Sequence, residues 1–203
     1  MVEMFINGGL FMWPILILLI LGLAISIERL WTLTRAGVNT RKFLDQVKSA
    51  LKEGGVEKAL EVCSTTRGPV ASIFHAGLMR ADRGVESVEK AVTSAGSIEM
   101  AFLEKGLVWL ATIISVAPML GFTGTVQGMI QAFDAIAAAN DISPTIVASG
   151  ISVALLTTLF GLVVAMIIQV LHNFFVSRID KLIIDMEESS NELVDTLVAN
   201  EKK

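Results

Sequence analysis

Long uncharged apolar runs alternate along this chain with shorter amphipathic segments, and the alternation predicts nearly all of its elements. Three runs contain no Asp, Glu, Lys or Arg: Met4–Ile27, Gly106–Phe133 and Ile142–Ser177. A helix that crosses the hydrocarbon core of a bilayer needs about 20 apolar residues, so each run is long enough to span. Between the first two runs the apolar positions recur with helical period. In RKFLDQVKSALKEGG, Phe43, Leu44, Val47, Ala50 and Leu51 share a face, and Gly54 and Gly55 act as the stop. VEKALEVCSTTRG predicts a second short helix, and GPVASIFHAGLMRADRG a third that starts at Pro69 and ends near Gly84. A fourth begins near Val85 and meets no breaker, so it is expected to run on as one long helix through the second span.

Each span has its own character. The first is mostly Leu and Ile, which suits a lipid-facing helix. Trp13 and Trp31 bracket it at about 27 Å, close to the hydrocarbon thickness, and Pro14 lies near its outer end. The second, LVWLATIISVAPMLGFTGTVQGMIQAF, contains Pro118, where a kink is expected, then Gly121, Gly124, Thr125 and Gly128. Gly124 and Gly128 form a Gly-x-x-x-Gly pair that permits close helix approach in lipid. Thr123, Gln127, Gln131 and Asp134 add a polar stripe to its outer half; it reads either as hydrogen-bonding glue between helices or as a solvated mouth.

The third span opens with Ser143 as N-cap and Pro144 at the first helical position. Within it, SGISVALLTTLFG places Ser149, Ser152, Thr157 and Thr158 among two glycines and no charge. Gly150, Ala154, Thr157, Gly161 and Ala165 share a small-residue face suited to tight packing, with Thr158 beside it. Ile179, Leu182, Ile183, Met186, Leu193 and Leu197 then continue an apolar stripe of roughly heptad spacing, so the helix is expected to leave the membrane and join a helical bundle in an oligomer.

Composition narrows the class. The chain has 203 residues, is 53% hydrophobic and has a mean hydropathy of +0.67, too apolar for a soluble domain of this size. All 16 Lys and Arg lie within Arg29–Lys105 and Arg178–Lys203. Positive residues stay on the cytoplasmic side, so the N-terminus is expected outside and the tail inside. The first span lacks a basic lead and an Ala-x-Ala-like site, which argues against a cleaved signal peptide. The expected division is a periplasmic N-terminus over 1–9, spans over 10–31, 106–134 and 145–175, a cytoplasmic helical region over 32–105, a periplasmic hairpin over 135–144 and a cytoplasmic tail over 176–203.

Candidate chemistry is sparse. A net charge of -4 with no basic patch gives no footprint for nucleic acid. Cys63 is the one cysteine and reads as a small buried residue of a cytoplasmic helix. His75 and Met79 read as packing residues. His172 reads as an interfacial side chain, with a proton relay as its alternative. No cofactor or metal site is expected: there is no ligand spacing, no phosphate loop and no convergent set of titratable groups for an enzyme.

APMLGFTGTVQGMIQAF resembles the second-span signature of the MotA/TolQ/ExbB superfamily, a proline followed by Leu-Gly-Leu-Leu-Gly-Thr-Val-x-Gly-Met-Ile-x-x-Phe. SGISVALLTTLFGLVVAMIIQVLHNFF resembles its third span, and three spans with the N-terminus outside match the ExbB/TolQ branch rather than four-span MotA. The resemblance implies an all-α membrane protein of the bacterial inner membrane. It implies a homopentamer around two copies of a single-span ExbD/TolR-like partner that carries an intramembrane Asp, with a TonB-like or other periplasm-spanning protein as a further partner. Ion flow would drive that partner to do work at the envelope. It also implies that Thr125 and Thr158 line the ion path and that Pro118 is the family's kink. Ser152, Thr157 and Gln127 are left as a secondary path or packing, and Gly121, Gly124, Gly128, Gly150 and Gly161 as close-packing positions. One departure stands out: Gly-Ile-Ser-Val-Ala-Leu replaces Gly-Ile-x-Glu-Ala-Leu, so Val153 occupies the glutamate position. Protons are favoured over sodium, with a sodium-driven motor or a non-conducting membrane scaffold as alternatives.

Overall fold

A computed structural model describes residues 5, 6, 8–37, 40–139 and 144–201, and among them it contains helices and turns and no strand. The helices are α1 (Met12–Ala36), α2 (Thr40–Thr65), α3 (Pro69–Leu78), α4 (Val85–Glu104), α5 (Leu107–Ala139) and α6 (Pro144–Glu201), with a 3₁₀ turn at Ala81–Arg83. Glycine sets most of the boundaries. Gly55 interrupts α2 at φ 69°, Gly68 precedes α3 at φ 131°, and Gly84 precedes α4 at φ 87°. These positive φ values lie where a Cβ is strained, so glycine is the residue that turns the chain there. Ser143, the expected N-cap of the third span, lies outside the described residues.

The expectation of one helix from Val85 through the second span is corrected. Lys105, at φ -51° and ψ 130°, leaves the helical region, and Gly106 takes φ 88° before α5 begins. Lys105 extends and Gly106 turns, so two helices form where the apolar and amphipathic patterns join without a proline.

The chain divides into two compact units, one of Met1–Glu28 with Gly106–Phe174, the other of Arg29–Lys105 with Phe175–Lys203. α1 and α6 each contribute to both. In the first unit, stretches of α1, α5 and α6 are long and apolar enough to cross a membrane, yet no more than 28% of each apolar window is buried. Ile17, Ile20, Phe122, Ile130, Leu155 and Leu159 all lie exposed. A patch of that extent needs lipid or other protein against it.

The second unit has a core of large side chains. Phe43 and Phe74 meet with ring centroids 5.4 Å apart, and Val47, Ile73, Leu78, Val88, Leu103 and Phe175 are buried in the same unit. Ile179, Leu182, Met186, Leu193 and Leu197 are buried here too, so most of the α6 stripe is covered within its own chain. Lys48 pairs with Glu192 across the unit. Arg29 is buried and its Nη1 donates to the Phe102 carbonyl at 3.4 Å. Met79 departs from its expected packing role: α3 ends at Leu78, and Met79, in the cap position, is 63% exposed.

Candidate functional site: the α5–α6 seam

In the first unit α5 and α6 approach each other backbone to backbone, and the approach follows from residues that lack side-chain bulk. A methyl placed on Gly161 would come 2.6 Å from the Ala117 carbonyl oxygen. One on Gly121 would come 3.0 Å from the Thr157 carbonyl oxygen and 3.1 Å from Thr158 Cα. Gly124 faces the Thr157 side chain, with Oγ1 2.6 Å from such a methyl, and Gly128 faces the Ala154 nitrogen at 3.0 Å and the Gly150 carbonyl at 3.1 Å. Gly150 in turn meets Ala132 and the Gly128 carbonyl. The partner numbers fall on one helix as they rise on the other, so the pair is antiparallel. Contact recurs at Ala117, Gly121, Gly124, Gly128 and Ala132, three or four residues apart, which keeps one small face of α5 against α6.

The threonines divide across this seam. Thr157 is fully buried, and its Oγ1 donates within α6, to the Ala154 carbonyl at 2.9 Å or the Val153 carbonyl at 3.2 Å. Thr125 and Thr158 are half-buried and hydrogen-bond to each other through their hydroxyls. Thr125 Oγ1 also reaches the Ala154 carbonyl at 3.1 Å and the Gly121 carbonyl at 3.2 Å, and Thr158 Oγ1 reaches the Gly121 carbonyl at 3.3 Å. Each hydroxyl has one proton, so one threonine donates to the other, whose own proton goes to a carbonyl. The order can reverse without a heavy atom moving far. Two hydroxyls and two carbonyls thus form a compact neutral oxygen cluster between two helices that carry no charge at this depth.

Other sequence-selected residues lie elsewhere on the same helices. At about 100° per residue, Gln127 lies about 160° around α5 from Thr125. It is exposed, as are Thr123, Gln131 and Asp134, so the polar stripe and the threonine pair occupy nearly opposite sides of α5. Ser152 is exposed, about 120° around α6 from Thr158. Val153 is half-buried, with its Cγ1 3.5 Å from a methyl placed on Gly9, and faces away from the threonine pair. Pro118 lies inside α5, which is helical on both sides of it, and the proline leaves the Ile114 carbonyl without its intrahelical donor. Further along α6, His172 Nδ1 is buried without a hydrogen-bond partner. Among the described residues, no three His, Cys, Asp or Glu side chains come together as a metal site.

Sequence reasoning missed the carbonyls of Gly121 and Ala154, which complete the cluster, and Ala117 and Ala132, which extend the seam. The three- and four-residue recurrence of small side chains from Ala117 to Ala132 was the available signal.

Comparison with known proteins is consistent along the chain. The MotA/TolQ/ExbB proton channel family matches residues 65–188. The chain is 36% identical over 179 residues to an ExbB homolog, named for biopolymer transport, of Methanothermobacter thermautotrophicus; the match covers 88% of this chain and 63% of that protein. It is 32% identical over 181 residues to an ExbB-like biopolymer transport protein of Synechocystis sp., covering 87% and 71%. It is 35% identical over 125 residues to the Tol-Pal system protein TolQ of Pseudomonas aeruginosa, covering 56% and 54%. The chain therefore spans less than two thirds of the first and third of these relatives.

Proposed function

The chain belongs to the MotA/TolQ/ExbB proton channel family and is a multi-pass membrane protein, and from that premise we propose that it is the channel subunit of an ion-driven motor. In this reading five copies surround two copies of a single-span ExbD/TolR-like partner, and the spans are 10–31, 106–134 and 145–175 with the N-terminus outside. Proton flow moves the partner, which does work at the cell envelope through a TonB-like or other periplasm-spanning protein. Pro118 is where α5 bends. The observation that carries the reading is the Thr125–Thr158 hydroxyl pair, held where the described helices carry no charge.

The chemistry follows from what this chain brings and what it lacks. With Val153 at the family's glutamate position, the carboxylate that takes and releases the proton comes from the partner's Asp. The hydroxyl pair can accept a hydrogen bond on one side and donate on the other, in either order, so it supports a proton passing through water beside it without becoming charged itself. Several neutral oxygens in one place also suit a small hard cation, which is the specific reason to keep a sodium-driven motor as the second reading.

The test is ion flux into liposomes holding this chain and its partner, under proton and sodium gradients separately. Thr158→Val keeps the shape and removes the hydroxyl. It is expected to reduce flux to background while the oligomer survives, at a stability cost of about 0.5–1.5 kcal/mol for one hydrogen bond. Normal flux in the variant would remove Thr158 from the path, and no flux of the parent protein under any cation gradient would favour the scaffold.

A further inference from the structure

A pocket of about 710 Å³ opens in the second unit, with Trp31 and Arg35 of α1, Arg67 and the start of α3, and Glu99 and Phe102 of α4 in its lining. Its position along the chain is informative. α1 is continuous from Met12 to Ala36, and its uncharged run ends at Ile27. Trp31 and Arg35 therefore follow about 6 and 12 Å beyond the end of that run. The headgroup layer on each side of the hydrocarbon core is about 5–8 Å deep. The Arg35 guanidinium folds over the Trp31 ring, 4.6 Å from its centroid, which brings its charge back toward that layer.

The lining combines cationic side chains with apolar ones. Among the described residues, neither Arg35 nor Arg67 is in an ion pair. The first turn of the ten-residue α3 adds backbone N–H groups that have no acceptor within the helix, and Gly68 supplies no side-chain cap. Against these stands one carboxylate, Glu99, so the arginine and carboxylate side chains of the lining contribute two positive charges and one negative. That balance matches a singly charged phosphodiester better than a free phosphate dianion. Trp31, 62% exposed, and Phe102, 53% exposed, offer the apolar surface that the glycerol and acyl portion of an amphiphile would cover.

We propose that this pocket binds the phosphodiester headgroup of an anionic phospholipid, with Arg35 and Arg67 on the phosphate and Trp31 and Phe102 against the lipid's apolar part. A lipid held there ties the end of α1 to the α2–α3 connection. The inference rests on α1 being a membrane span and is independent of what ion the protein conducts.

The full chain is reconstituted in phosphatidylcholine vesicles containing phosphatidylglycerol as a minor component, re-extracted in mild detergent, and its bound lipids are quantified by mass spectrometry. The parent protein is expected to retain phosphatidylglycerol well above its share of the vesicle. Each arginine is expected to contribute about fivefold, so Arg35→Gln with Arg67→Gln lowers the enrichment about 25-fold, while Arg83→Gln, on an exposed turn outside the pocket, leaves it unchanged. Glu99→Gln removes the opposing charge and raises retention, which decides the matter should the double variant lose its helical circular dichroism. Unchanged enrichment in the folded double variant, or no rise with Glu99→Gln, overturns the site. Equal retention of both lipids by the parent overturns it too, yet leaves the spanning role of α1 intact. Displacement by inorganic phosphate as effective as by phosphatidylglycerol overturns the lipid assignment in favour of a free anion.

Discussion

Where α5 meets α6, the residues that touch are glycine, alanine and threonine; in the unit built on α2, α3 and α4, they are Phe43, Phe74, Leu78, Leu103 and Phe175. The same helix, α6, contributes to both units, so helix type does not explain the contrast. Solvent does. In water, burying a large apolar side chain is favourable by roughly 1.5–3 kcal/mol, which selects bulk for a core. Between helices in lipid that term vanishes, because acyl chains are as apolar as leucine. Dispersion at short range and interhelical hydrogen bonds are what remain, and both improve when backbones approach closely. The makeup of a buried face thus reports the medium around it. At the seam, close approach also brings the Thr125 and Thr158 hydroxyls together with the Gly121 and Ala154 carbonyls.

The comparison breaks most visibly at Phe74, which is 1% exposed and meets the Phe43 ring at a tilt of 54°. Phe74→Ala is expected to cost about 3–5 kcal/mol, read as a fall in the thermal midpoint of the purified protein in detergent. A midpoint unchanged from the parent would mean that the second unit does not depend on large side chains. Alanine at two glycines gives the next largest effect, with opposite signs. At Gly161 the new methyl meets backbone, the Ala117 carbonyl at 2.6 Å, and backbone cannot rotate aside, so Gly161→Ala is expected to cost about 1–3 kcal/mol and to loosen the seam. At Gly96, within α4, the nearest atom is Ile73 Cδ1 at 3.8 Å, an ordinary contact. There alanine is expected to stabilise by about 0.5–1 kcal/mol through helix propensity alone. Thermal midpoints moving in the same direction would mean that the two regions do not differ in the way the contacts imply.

Much of this was legible in the sequence because it depends on local pattern. The three apolar runs, the stop at Gly55, the start at Pro69 and the small face from Gly150 to Gly161 are each set by residues a few positions apart. Lys105–Gly106 was missed because a single glycine between an amphipathic and an apolar segment is tolerated in many helices. Only the backbone, with Lys105 at ψ 130° and Gly106 at φ 88°, shows that this one ends a helix. That Thr125 and the Thr123–Gln127–Gln131–Asp134 stripe lie on opposite sides of α5 follows from about 100° per residue, but which of those sides meets α6 was not legible. Counting along α5 places both within its outer half. Which face meets α6 depends on the register of two helices, and no spacing within one helix specifies that. The stripe on α6 beyond Ile179 shows the same limit: its period is local, but whether it is covered by its own chain or by another copy is a tertiary fact.

The smallest effect sharpens the same comparison through pH. Cys63 is 4% exposed in the second unit, and desolvation by burial pushes its thiol from 9.0 up to about 11. A raised value means that the folded protein holds the thiol proton longer than the unfolded chain does. The resulting stability is therefore fully present below about pH 9 and declines as pH rises from 9 through 11. At pH 8 such a thiol is about one part in a thousand thiolate, against about a tenth for the unfolded chain, so alkylation by iodoacetamide is expected to be slow until the protein unfolds. Cys63→Ala is expected to flatten the alkaline decline in thermal midpoint that this residue causes. Rapid alkylation of the folded protein at pH 8 would show instead that water reaches Cys63, and that the core around it is looser than its large side chains imply.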